Sequence, residues 1–164
     1  GGLAAISAAT AAAAAAAAAM IISTSTPLSK TYNHCQVPCG IFDDQAMVNE
    51  LQQAVATIRK AMAQTQVLVA GVSTMEPALM VNQAVRWINV KEEHANRIIH
   101  LVAEYCLCQR VKPSLFASQA DYLEALQIHH NVMQAAMKAK QSVSQADVDA
   151  LQAALNDLAQ MYTK

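Results

Sequence analysis

From Asp43 onward, apolar residues recur at intervals of three and four, the period of a helix that buries one face. Val48, Leu51, Val55, Ile58 and Met62 form the first such stripe, and Asp43 or Asp44 ahead of it can cap the free N–H groups of a helix start. The weaker stretch 66–74, which contains Gly71, suits a turn. Glu76-Pro77 suits a second start, because the N–H that proline lacks has no partner in a first turn anyway. This second helix is expected to run to about Gln109 and to stop at Lys112-Pro113. Val81, Val85, Ile88, Ile98, Val102 and Tyr105 are its expected inward residues, with Trp87 at a seam or an interface. Ser118-Gln119-Ala120-Asp121 reads as a capping box with Asp in place of Glu, opening a third helix with Tyr122, Leu126, Met133 and Met137 near one face. The same residue types recur at Ser144-Gln145-Ala146-Asp147 and open a fourth, which carries Val148, Leu151, Leu155, Leu158 and Met161. Links this short join antiparallel neighbours, so the expected fold is all-α, an up-and-down four-helix bundle over 43–164. The scarcity of Gly and Pro, at 4 each, agrees with helices rather than strands.

The segment ahead of the bundle has a different character. Residues 3–22 are apolar, uncharged and low in complexity, with alanine throughout 11–19. Their length would permit a membrane span, but alanine is only weakly hydrophobic, and a targeting segment is the better reading. A polar stretch without helical or strand period follows as far as Asn33 and would expose the chain to a processing protease. The expected organisation is therefore a cleaved leader over 1–33 and a domain over 34–164, divided into a hook at 34–42 and the bundle. A leader combined with redox-active thiols fits an organelle such as a plastid, or export. The net charge of −1 gives neither a nucleic-acid footprint nor a polybasic membrane patch.

The 4 cysteines are too few for a disulfide scaffold. Cys106 and Cys108, two positions apart on a helix, point in different directions and read as packing residues. Cys35 and Cys39 lie in His34-Cys35-Gln36-Val37-Pro38-Cys39-Gly40, where Pro and Gly exclude a helix and favour a compact hook. Thiolates four positions apart can converge there on one ion, and His34 adds an imidazole. Cleavage between Asn33 and His34 would add a free α-amine, and the backbone amide of Cys35, once deprotonated, completes a planar set of two nitrogens and two sulfurs. Square-planar N/S coordination belongs to nickel(II) or copper(II) rather than zinc. Thiolate and amidate donors also bring trivalent nickel within biological reach, and an axial imidazole stabilises it further. Other readings of the pair are a small Cys35–Cys39 surface disulfide or half of a zinc site, although no second cluster at suitable spacing accompanies it. His129-His130 diverge on a helix and read as surface or core residues, as does His100.

The string from His34 to Asp43 resembles the nickel-hook motif of nickel-dependent superoxide dismutases, His-Cys-X-X-Pro-Cys-Gly-X-Tyr-Asp at the mature N-terminus. His34, Cys35, Pro38, Cys39, Gly40 and Asp43 match it. A weaker likeness continues through Lys91-Glu92-Glu93-His94-Ala95 and Lys112-Pro113, so the resemblance covers 34–164. It implies an oxidoreductase that converts superoxide to dioxygen and hydrogen peroxide by Ni(III)/Ni(II) cycling, built as a homohexamer with one nickel ion per subunit. By position, it makes His34 the donor of amine and axial imidazole, Cys35 the donor of amide and thiolate, and Cys39 the donor of the second thiolate. Pro38 would shape the hook, and Glu50 falls where the family has an acid that orients the imidazole. His94 stands where some members have an arginine supporting that acid. Phe42 replaces a tyrosine whose hydroxyl helps gate small anions, and Gln109-Arg110-Val111 stands where a second tyrosine is expected. The readings that compete with a dismutase are a nickel- or copper-binding helical protein without turnover and a structural bundle closed by a Cys35–Cys39 disulfide.

Overall fold

The computed structural model describes residues 44–71 and 74–163. Helix α1 spans Gln45–Val69 and buries Val48, Leu51, Val55, Ile58 and Met62, the stripe expected of it. It ends in a turn at Gly71, whose φ of 70° is a left-handed conformation that glycine adopts without steric cost. Helix α2 spans Pro77–His100 with Pro77 in its first turn. The Glu76 carboxylate accepts hydrogen bonds from the backbone N–H groups of Ala78 and Leu79, each at 3.0 Å. Those bonds hold its pKa below the usual carboxylate value.

The expected length of the second helix is right and its type is not. After His100 the chain continues as a π-helix over Leu101–Arg110, closed by the Val111 N–H bonding the Cys106 carbonyl five residues back at 2.9 Å. A π-segment of ten residues is uncommon, since most are single turns inside α-helices. A 3-10 turn at Pro113–Leu115 leads to α3, Gln119–Gln141, and a short link leads to α4, Gln145–Ala159.

Contacts across the helices establish the topology. Glu50 of α1 meets Arg97 of α2, and Asp44 meets Arg110, so residue numbers run in opposite senses. Lys138 of α3 meets Asp147 of α4, while His129 meets Tyr162 beyond the end of α4. Between α1 and α4, Arg59 pairs with Asp149, and the Gln66 amide donates to the Val143 carbonyl at 2.8 Å. Each neighbouring pair is antiparallel and the fourth helix closes on the first, which is an up-and-down bundle. No strand occurs among the described residues. The core joins Leu51, Val55 and Ile58 of α1 to Ile98 of α2, Val132 and Ala136 of α3, and Leu151, Leu155 and Leu158 of α4.

Several inward expectations need correction. Ile98, Val102 and Tyr105 are buried, but Val81, Val85 and Ile88 are 57%, 48% and 38% exposed. The stripe they form is genuine; among the described residues no element covers it. Lys91 donates to the carbonyls of Lys140 and Ser142, at the C-terminal end of α3, so the part of α2 ahead of Lys91 runs past α3 and α4. Trp87 in this part is half-buried. On α3 the buried face is Ala125, His129, Val132, Ala136 and Ala139, whereas Tyr122, Leu126 and Met133 are half-buried and Met137 is exposed. Small side chains let helices approach closely, and this turns α3 toward its alanines rather than its larger residues. Met161 is exposed beyond the end of α4. Cys106 packs in the core as expected, but Cys108 is exposed.

Candidate metal centre

Of the hook and its surroundings, His34, Cys35, Pro38, Cys39 and Phe42 lie outside the described residues. The described part of the candidate centre begins at Asp44, where the chain leaving the hook enters α1.

Asp44 occupies the N-cap position of α1, yet its side chain caps nothing on its own helix. The carboxylate is buried, with 5% of the side chain exposed, and accepts two hydrogen bonds from the π-segment. The Tyr105 hydroxyl donates to Oδ1, and the Arg110 guanidinium donates to Oδ2 at 2.7 Å. On an α-helix, residues five apart sit about 140° apart around the axis, because each residue turns about 100°. In a π-helix the hydrogen bonds join residues five apart, so such residues lie nearly one above the other. The π-segment is what allows Tyr105 and Arg110 to hold one carboxylate. Burial, and next the bond to Asp44, push the Tyr105 pKa well above its usual value, so the phenol remains a donor.

Glu50 lies on α1 six residues further on, about 9 Å along the helix at 1.5 Å per residue. Its Oε1 accepts from Arg97 Nε at 2.7 Å. The support expected from His94 is supplied by Arg97, three residues later on the same side of α2. His94 turns back to its own helix, its Nδ1 lying 2.9 Å from the Val90 carbonyl oxygen. His94 holds the motif's position in the sequence. The signal that favours Arg97 is its permanent charge and its place one helical turn away.

Among the described residues, no group of three or more His, Cys, Asp or Glu side chains could hold a metal ion. The described histidines are otherwise engaged. His129 is buried with Nδ1 2.7 Å from the Ala125 carbonyl oxygen and Nε2 2.7 Å from the Tyr162 hydroxyl. Since the carbonyl can only accept, Nδ1 carries the proton and Nε2 accepts from Tyr162. His100 lies 3.5 Å from Glu104, and His130 is exposed beside Gln134. Burial raises the Cys106 thiol to about 11, which keeps it protonated and unreactive.

Sequence reasoning placed Tyr105 in the core, but it read Asp44 as a cap and missed Arg97 and Arg110 as partners of Glu50 and Asp44. No helix of the described residues is long and apolar enough to cross a membrane. In comparisons with known proteins, the family model described as nickel-containing superoxide dismutase matches residues 29–164. No curated protein and no solved structure matches the chain.

Proposed function

Because this chain belongs to the nickel-containing superoxide dismutase family, we propose that it dismutes superoxide at a nickel ion held by the hook residues His34, Cys35 and Cys39. The enzyme is an oxidoreductase, nickel is the metal of its family, and superoxide is the substrate. The observation that carries the finer reading is the string His34-Cys35-X-X-Pro38-Cys39-Gly40 inside the matched span.

The chemistry of the donor set fits nickel. Cys35 and Cys39 would hold it through their thiolates, Cys35 also through its amide nitrogen, and His34 through its amine and imidazole, a mixed N/S donor set that suits nickel. One ion per subunit accounts for all of these donors. Nickel held there would supply one-electron exchange between Ni(II) and Ni(III), which matches the one-electron oxidation and one-electron reduction that dismutation comprises. The protein's own part is to fix the donors. Glu50, held through Oε1 by Arg97, falls by resemblance at the position of the acid that would orient the His34 ring.

The amine exists only after a cut between Asn33 and His34, which assigns 1–33 to a leader and makes the uncut chain inactive. That leader fits delivery to an organelle such as a plastid, or export. The exposed apolar stripe Val81, Val85 and Ile88 supports contact between subunits, and the homohexamer is what the family resemblance implies.

Intact-mass analysis of the native protein tests this reading first: a chain starting at His34 is expected, and an uncut or differently cut chain removes the amine ligand. The oxidised protein should give a rhombic Ni(III) electron paramagnetic resonance spectrum with nitrogen hyperfine structure. Cys35→Ser and Cys39→Ser should each abolish nickel-dependent activity and leave helicity intact. Activity surviving either change would place the site elsewhere.

A further inference from the structure

We propose that Tyr105 and Arg110, by clamping Asp44, are positioning residues for the nickel hook. The inference rests on the hook being the metal site. The chain from Cys39 to Asp44 spans at most about 18 Å fully extended, so whatever fixes Asp44 limits where the thiolates can stand.

The clamp has features that helix capping does not require. An N-cap aspartate ordinarily satisfies its own helix, and here the carboxylate is turned away from α1 toward another element. Its two oxygens take different donors, the Tyr105 hydroxyl from the core side and the Arg110 guanidinium from the surface side. Tyr105 is 1% exposed, whereas the Arg110 side chain is 36% exposed. The carboxylate is thus gripped in two directions and cannot swing about either bond. The grip depends on the π-helical register of Leu101–Arg110, an arrangement the chain adopts nowhere else among the described residues.

A second tie makes the clamp specific to the metal end of α1. Arg97 of α2, the helix that runs on into the π-segment, holds Glu50 about 9 Å along α1 from Asp44. The point where the hook joins the bundle and the carboxylate proposed to face the His34 ring are therefore fixed on one rigid piece. A slip of α1 against α2 by one turn, about 5.4 Å, would break both ties at once. Asp44, Tyr105 and Arg110 are not members of the proposed donor set. They act through the backbone that carries it.

The test uses the nickel-loaded protein and the variants Tyr105→Phe, Arg110→Gln and Arg110→Lys. Phe keeps the ring in the core and removes only the donor, so Tyr105→Phe isolates the hydrogen bond from packing. In Tyr105→Phe and Arg110→Gln we expect unchanged helicity, a broadened or shifted Ni(III) resonance, and nickel loss to a chelator faster by on the order of tenfold. Arg110→Lys should recover part of the parent spectrum. Spectra and release rates identical to the parent in both Tyr105→Phe and Arg110→Gln, with Cys35→Ser abolishing the signal, overturn the clamp and leave the hook reading standing. A Cys35→Ser protein with the parent's signal overturns the hook reading, and the clamp with it.

Discussion

His129 shows how a buried polar side chain can be paired completely and still leave a mark on stability. Both ring nitrogens are used, Nδ1 donating to the Ala125 carbonyl and Nε2 accepting from Tyr162. Burial pushes its pKa below the usual value and outweighs the Ala125 carbonyl, which favours the charged ring. The unfolded chain therefore binds a proton more readily than the folded one. Stability is full above about pH 6.5, the unfolded value, and falls as pH drops through it. Thermal melts between about pH 7 and pH 5 should decline less steeply for His129→Gln, which cannot take up the proton, than for the parent. Parallel declines would show that this ring is not the group responsible. At this scale the proposed metal ligands could be picked out because they are close in sequence: His34, Cys35 and Cys39 sit within six positions. The Glu50–Arg97 and Asp44–Arg110 pairs could not, because their members are 47 and 66 residues apart and nothing local encodes that meeting.

Helix starts show the same divide between local and distant causes. Ser118-Gln-Ala-Asp121 and Ser144-Gln-Ala-Asp147 are the same tetrapeptide, and both precede a helix. At the first, the box closes: Ser118 Oγ accepts from the Asp121 N–H at 3.2 Å and Asp121 accepts from the Ser118 N–H at 3.1 Å. At the second, Ser144 makes no side-chain cap, and Asp147 is drawn instead to Ser142 and Lys138, which lower its pKa. Ser118→Ala should cost about 1 kcal/mol in denaturant unfolding, and Ser144→Ala only a few tenths. Equal losses would mean that the Ser144 hydroxyl caps in solution. Proline and capping residues made the starts of α2, α3 and α4 readable, since they act within a single turn. The π-segment left no such trace. Leu101–Arg110 contains nothing that forbids an α-helix, and its register matters only once Asp44 is brought beside it.

For the whole molecule, periodicity was sufficient to foresee a bundle but not how far its layers extend. Val81, Val85 and Ile88 carry the same helical spacing as Ile98, Val102 and Tyr105, so a sequence reading buries them all. The link between α3 and α4 lies level with Lys91, and the preceding 14 residues of α2, about 21 Å of helix, pass beyond it. If this stripe is the seam between subunits, Val85→Glu places a charge where burial of each Val or Ile side chain contributes about 1.5–3 kcal/mol. Light scattering after size-exclusion chromatography should then report a smaller assembly at unchanged helicity. An unchanged mass would put the subunit contact on another face.

An even number of antiparallel helices also returns the chain to the end from which it started. Asp44 at the head of α1, the π-segment at the foot of α2 and Tyr162 after α4 all lie at that end, while Gly71 and the Ser142–Ser144 link lie at the other. For anyone attaching this enzyme to a surface or fusing it to a reporter, a handle after α4 emerges at the same end as the Asp44 clamp. The turn at Gly71, where a Cβ would meet nothing within 4 Å, is the place to splice a tether.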